Sequence, residues 1–104
     1  MAAVNINAKQ YEELILGSKP VLVDFWAPWC TYCRRIDPAI GKLADNREDV
    51  LIVKINIDEE PELARQERIE VIPTLVVYKD GYEMGSIVAP ESRARIEEFL
   101  SEVL

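Results

Sequence analysis

The chain has only two cysteines, and they stand two residues apart in Trp29-Cys30-Thr31-Tyr32-Cys33. The segment before them, Val21-Leu22-Val23-Asp24-Phe25-Trp26, is an apolar run rich in branched residues, and a helical pattern follows them. The pair therefore falls where a buried strand ends and a helix begins. Thiols at i and i+3 at a helix start share one face, one turn apart, so they can close a disulfide with little backbone movement. The partial positive charge of the helix N-terminus favours a thiolate there. Cys30 is thus a candidate nucleophile and Cys33 a candidate resolving thiol.

A purely structural staple fits this spacing poorly. Closing a loop of about four residues is worth roughly 2 kcal/mol, the weak end of the range for disulfides. Structural zinc wants four Cys or His ligands, and the chain has two cysteines and no histidine. Redox chemistry is the reading this spacing favours over a staple, inert thiols or a metal site.

A length of 104 residues suggests one domain over residues 1–104, with apolar content for one core. The net charge of −7 gives no electrostatic reason to bind phosphate backbones, which argues against nucleic-acid partners. The apolar runs are far shorter than a membrane span. The segment Met1-Ala2-Ala3-Val4-Asn5-Ile6 lacks a basic stretch followed by an apolar one, which points to the cytoplasm. A lasting structural disulfide is unusual there, whereas a cycling one is not.

Periodicity and turn residues predict the order β-α-β-α-β-α-β-β-α. The expected strands are Val4 to Ile6, Val21 to Trp26, Leu51 to Ile57, Thr74 to Lys79 and Glu83 to Val88, with Asp80-Gly81 as a hairpin turn. The expected helices are Ala8 to Leu16 capped by Asn7, Cys30 to about Asn46, a short one opened by Pro61, and a last one from about Pro90 to the C-terminus. Alternating strands and helices imply an α/β fold: a central mixed β-sheet flanked by helices on both faces. The cysteines then lie at the end of a central strand, the usual place for a site in such a sheet.

Asp24 interrupts the apolar strand, and carboxylates are rarely buried without reason. Burial raises its pKa and lets it relay a proton to and from the second thiol. Lys54, in Val53-Lys54-Ile55 on the neighbouring strand, either pairs with Asp24 and moderates its pKa or snorkels from the sheet face. Ile72-Pro73-Thr74 opens a strand; a cis bond at Pro73 would present the Ile72 backbone as an edge for an extended peptide. Trp29, in a turn, is expected to be partly exposed as a docking surface.

Together, Asp24-Phe25-Trp26-Ala27-Pro28-Trp29-Cys30, Cys33, Pro38, Lys54-Ile55-Asn56-Ile57-Asp58, Ile72-Pro73-Thr74 and Asp80-Gly81 resemble the thioredoxin family over almost the whole chain. The resemblance implies a thioredoxin fold and thiol–disulfide exchange with protein substrates. It implies Cys30 as attacking thiol, Cys33 as resolving thiol, Asp24 as buried proton acceptor with Lys54 near it, and Pro73 as a cis proline opposite the disulfide. Three positions depart from the family pattern. Thr31-Tyr32 replaces Gly-Pro between the cysteines, and a tyrosine there is also similar to the Cys-Pro-Tyr-Cys of glutaredoxins. Ala89, followed by Pro90, replaces a glycine common in the family's groove. Glu67-Arg68 stands where an aromatic residue and a glycine are usual.

The expected function is reduction of protein disulfides by dithiol exchange, by a monomer that needs no cofactor beyond the redox-active pair Cys30 and Cys33. The partners would be disulfide-bearing proteins, met through Trp29, Thr31, Tyr32, Ile72, Pro73 and Ala89, and a thioredoxin reductase or another dithiol donor. Two other readings compete: a glutathione-coupled, glutaredoxin-like enzyme, motivated by Tyr32, and a binding module whose thiols are dispensable.

Overall fold

A computed structural model describes residues 3–104. Its elements, in chain order, are β1 (Val4–Asn5), α1 (Ala8–Ile15), β2 (Val21–Trp26), α2 (Thr31–Asn46), β3 (Leu51–Asn56), α3 (Pro61–Gln66), β4 (Thr74–Lys79), β5 (Tyr82–Val88) and α4 (Arg93–Val103). The order is the one that the sequence pattern predicts, and the boundaries have local causes. Asn7 caps α1 in a reciprocal pair: its Oδ1 accepts the Gln10 N–H, and Gln10 Oε1 accepts the Asn7 N–H, both at 2.9 Å. Asp80 and Gly81 both take positive φ, 53° and 82°, as a two-residue hairpin turn requires.

Most boundaries fall within a residue of expectation, and the largest departure is in the last helix. The last helix begins at Arg93, not near Pro90. Ser92 is the reason: its hydroxyl accepts the Arg95 N–H at 3.1 Å and caps the helix there. Ala89 to Glu91 are thereby left as a loop next to the cysteines' end of the sheet.

The five strands run in the order β1-β3-β2-β4-β5. β3 pairs in parallel with β1 and β2, while β4 pairs antiparallel with both β2 and β5. β2 is therefore central, with β3 and β4 on either side. Its side chains alternate between two cores. Leu22 packs with Ile36 and Ile40 of α2 and Ile96 and Leu100 of α4. Val23 and Phe25 pack on the opposite face with Tyr11 of α1 and Leu63 of α3. Helices thus cover both faces of a mixed sheet, as the alternation predicts. Among the described residues, no helix is long and apolar enough to cross a membrane.

Candidate active site

The strand-to-helix turn after β2 sets the geometry of the two thiols. Trp29 and Pro28 are exposed in that turn, and Cys30 takes an extended φ of −86° as the N-cap of α2. Its sulfur accepts the Cys33 N–H at 3.1 Å, in the place a serine or aspartate oxygen fills in an ordinary cap. Cys30 and Cys33 are joined as a disulfide, with Cα atoms 5.3 Å apart. Cys33 is the deeper of the two, 3 % exposed against 8 % for Cys30.

A backbone N–H and a helix N-terminus directed at a sulfur are groups that in general favour a thiolate. Cys33, one turn into the helix and more deeply buried, lacks that position. The two sulfurs therefore have distinct surroundings: Cys30 Sγ accepts a backbone N–H at the head of α2, and Cys33 lies one turn further in.

The wall facing the disulfide comes from the loop before β4. The Ile72–Pro73 peptide bond is cis. The Ile72 carbonyl oxygen lies 3.9 Å from Cys30 Sγ. Local sequence gave no strong reason to expect the cis form; the family resemblance did. Thr74 is tied back by a hydrogen bond from its hydroxyl to the Val71 carbonyl. Ala89 continues the ladder beyond β5, its N–H donating to the Pro73 carbonyl at 2.8 Å. Ala89 holds φ at 43° and Arg68 at 57°. Both positions thus take a left-handed backbone, which glycine adopts without steric cost.

Two contacts around this groove escape a sequence reading. Tyr32 Oη donates to the Pro90 carbonyl at 2.8 Å, bridging the cysteine turn to the loop after β5. The indole N–H of Trp29, which is 66 % exposed, donates to Asp58 Oδ1 at 3.2 Å, so the ring is held in place while facing outward. Neither contact has a local signature, because the partners are 58 and 29 residues apart. Thr31 is exposed beside them.

Asp24 lies on the α2 side of β2, in line with Leu22, and is 1 % exposed. Its Oδ1 is the one buried side-chain polar atom among the described residues without a hydrogen-bond partner. Burial pushes its pKa up to about 7, opposed by the nearby Lys54 charge and reinforced by Asp37. The carboxyl is therefore poised to gain and lose a proton near neutral pH. Lys54 is Asp24's register partner on β3. Lys54 moderates the Asp24 carboxyl through its charge, while its Nζ binds Asp37 Oδ1 at 2.6 Å and sits 4.4 Å from the Trp26 ring centroid. Asp37 is four residues after Cys33 on α2, and its tie to Lys54 has no local sequence signature because it crosses from helix to sheet.

Residues 2–102 match the sequence pattern of the family described as Thioredoxin. The chain is 39 % identical to thioredoxin 1 of Synechococcus elongatus, over all of this chain and 98 % of that protein. It is 36 % identical to the thioredoxin of Alicyclobacillus acidocaldarius, over 99 % of each. Among solved structures, the Malassezia sympodialis thioredoxin superposes with a TM-score of 0.88 at 27 % identity, covering 99 % of this chain and 94 % of that one. Oxidised mitochondrial thioredoxin 3 of Saccharomyces cerevisiae gives 0.84 at 29 %, covering 97 % and 94 %. Sequence, sheet order and the paired thiols at the head of α2 agree: this chain belongs to the thioredoxin family and is a dithiol–disulfide oxidoreductase acting on protein disulfides.

Proposed function

We propose that the reduced chain attacks substrate disulfides with Cys30 and closes the cycle with Cys33 and Asp24. The Cys30 thiolate attacks one sulfur of the substrate bond. A Cys30–substrate mixed disulfide forms, and the other substrate sulfur leaves as a thiolate and takes a proton. The Asp24 carboxylate accepts the proton of the Cys33 thiol. The Cys33 thiolate then attacks Cys30 Sγ, the second substrate sulfur leaves, and the Cys30–Cys33 disulfide remains. Two electrons have passed to the substrate.

The N-cap placement of Cys30, with the Cys33 N–H 3.1 Å from its sulfur, carries this assignment. The substrate would lie extended along Ile72, cis-Pro73 and Ala89, beside exposed Trp29 and Thr31 and against the ring of Tyr32. Lys54 assists by moderating the charge on Asp24. A dithiol donor of the thioredoxin reductase kind restores the thiols. The protein works as a monomer of one domain in the cytoplasm, in electron transport and cell redox homeostasis, with no cofactor beyond its own cysteines. The Tyr32–Pro90 bond favours a protein substrate over glutathione, since it spends the tyrosine hydroxyl on the groove wall.

The test is single-turnover reduction of a disulfide-bonded protein by the dithiol form. The expected products are two substrate thiols for each molecule of oxidised protein. Cys30→Ser should abolish the reaction, and Asp24→Asn should slow it near neutral pH. Undiminished reduction by Cys30→Ser would overturn the assignment.

A further inference from the structure

Lys54 stands between two carboxylates, Asp24 across the β2–β3 ladder and Asp37 on α2, and it is bound to the second. Physical chemistry accounts for that choice. Burying an ionised Asp24–Lys54 pair would strip water from both charges, and the Coulomb attraction need not repay the cost. Asp37 is 44 % exposed in its side chain and Lys54 11 %, so their pair leaves one charge largely hydrated. The ammonium also rests on the face of Trp26, which favours this seat further. What this leaves behind is the bare Asp24 Oδ1.

We propose that Asp37 is a positioning residue for the exchange reaction: by holding Lys54 Nζ over Trp26, it keeps the ammonium from pairing with Asp24 and leaves that carboxyl free to take and return a proton. The catalytic half of this statement rests on the role given to Asp24 above; the electrostatic half does not. The charged and titratable groups facing Asp24 are few. β3 supplies Lys54, and α2 supplies Asp37. β4 places Leu75 opposite it, and the inward side chains of α4, Ile96 and Leu100, are apolar. Removing Asp37 acts in one direction only. It deletes a negative charge that favours protonated Asp24, and it releases a positive one that favours the ionised form.

The test is a carbon-13 titration of the Asp24 carboxyl in the oxidised protein, followed by NMR. Asp37→Asn should move the midpoint to lower pH by about 1 unit, the low end for an opposite charge within a few ångströms. Asp37→Glu should restore most of the wild-type value. In a Lys54→Met background, Asp37→Asn should move the midpoint far less, because the effect runs mainly through Lys54. No movement, or equal movement in both backgrounds, overturns the proposal; the second result would mean that Asp37 acts through its own charge alone. The acid limb of turnover against pH should shift with the midpoint in Asp37→Asn and vanish in Asp24→Asn. An acid limb that persists in Asp24→Asn overturns the catalytic half together with the Asp24 reading, while the midpoints still decide the electrostatic half.

Discussion

Tyr32 Oη donates a 2.8 Å hydrogen bond to the carbonyl oxygen of Pro90, so the residue just before the resolving cysteine clasps the loop on the far side of the groove. Pro90 is buried, and its carbonyl would otherwise need another donor. Tyr32→Phe keeps the ring and removes the clasp. The expected cost is about 1 kcal/mol in urea unfolding, the usual size for one neutral hydrogen bond. The Ala89 amide, bonded to Pro73 in the same wall, should exchange its hydrogen faster. Unchanged exchange at Ala89 would show that the clasp does not stiffen the groove.

Asp24 gives the protein a pH-dependent stability of known sign. Its pKa rises from 3.8 unfolded to about 7 folded, so the folded state binds the proton more tightly. Stability from this group is full below pH 3.8 and is lost as pH rises towards 7. At 1.36 kcal/mol per unit, the loss is on the order of 4 kcal/mol. Asp24→Asn has no such proton to lose. The variant should match the wild type near pH 4 and exceed it by several kcal/mol at pH 8. Parallel stability curves for the two proteins across that range would contradict the burial argument.

Arg68 and Ala89 occupy left-handed backbone, with φ of 57° and 43°. A residue with a Cβ pays about 1–2 kcal/mol for that conformation, and glycine recovers most of it at some cost in chain entropy. Arg68→Gly and Ala89→Gly should each stabilise the fold by about 1 kcal/mol in thermal or denaturant unfolding. Destabilisation by either substitution would contradict the reading of these sites as strained.

Gly85 on β5 is needed for space. A Cβ there would come 2.7 Å from Val103 Cγ1, closer than atoms pack, and 3.5 Å from the Phe99 ring. Gly85→Ala should destabilise by about 1–3 kcal/mol by pushing α4 off the sheet. Val103→Ala in the same chain should relieve much of that loss. An additive double variant would exclude the clash.

What could be read beforehand divides along physical lines. The period of the apolar residues in Val21 to Trp26 and the cap at Asn7 are local properties, so strands, helices and the place of the cysteines were legible. Asp24 stood out because one charge interrupts an apolar strand. The cis bond at Pro73 was legible only through the family resemblance. The Lys54–Asp37, Trp29–Asp58 and Tyr32–Pro90 contacts were not legible, since each joins elements distant in sequence. Pro90 has the character of a first-turn proline, but the cap at Ser92 decides where α4 starts.

The central claim is the division of labour between the two thiols, and trapping tests it most directly. Reduced Cys33→Ser and Cys30→Ser variants are mixed with a disulfide-bonded protein, quenched with acid, and resolved by non-reducing mass spectrometry. Cys33→Ser should accumulate a covalent adduct through Cys30, because the resolving thiol is gone, and Cys30→Ser should form none. An adduct through Cys33 in the Cys30→Ser variant, with none in Cys33→Ser, would contradict the assignment of Cys30 as the attacking sulfur.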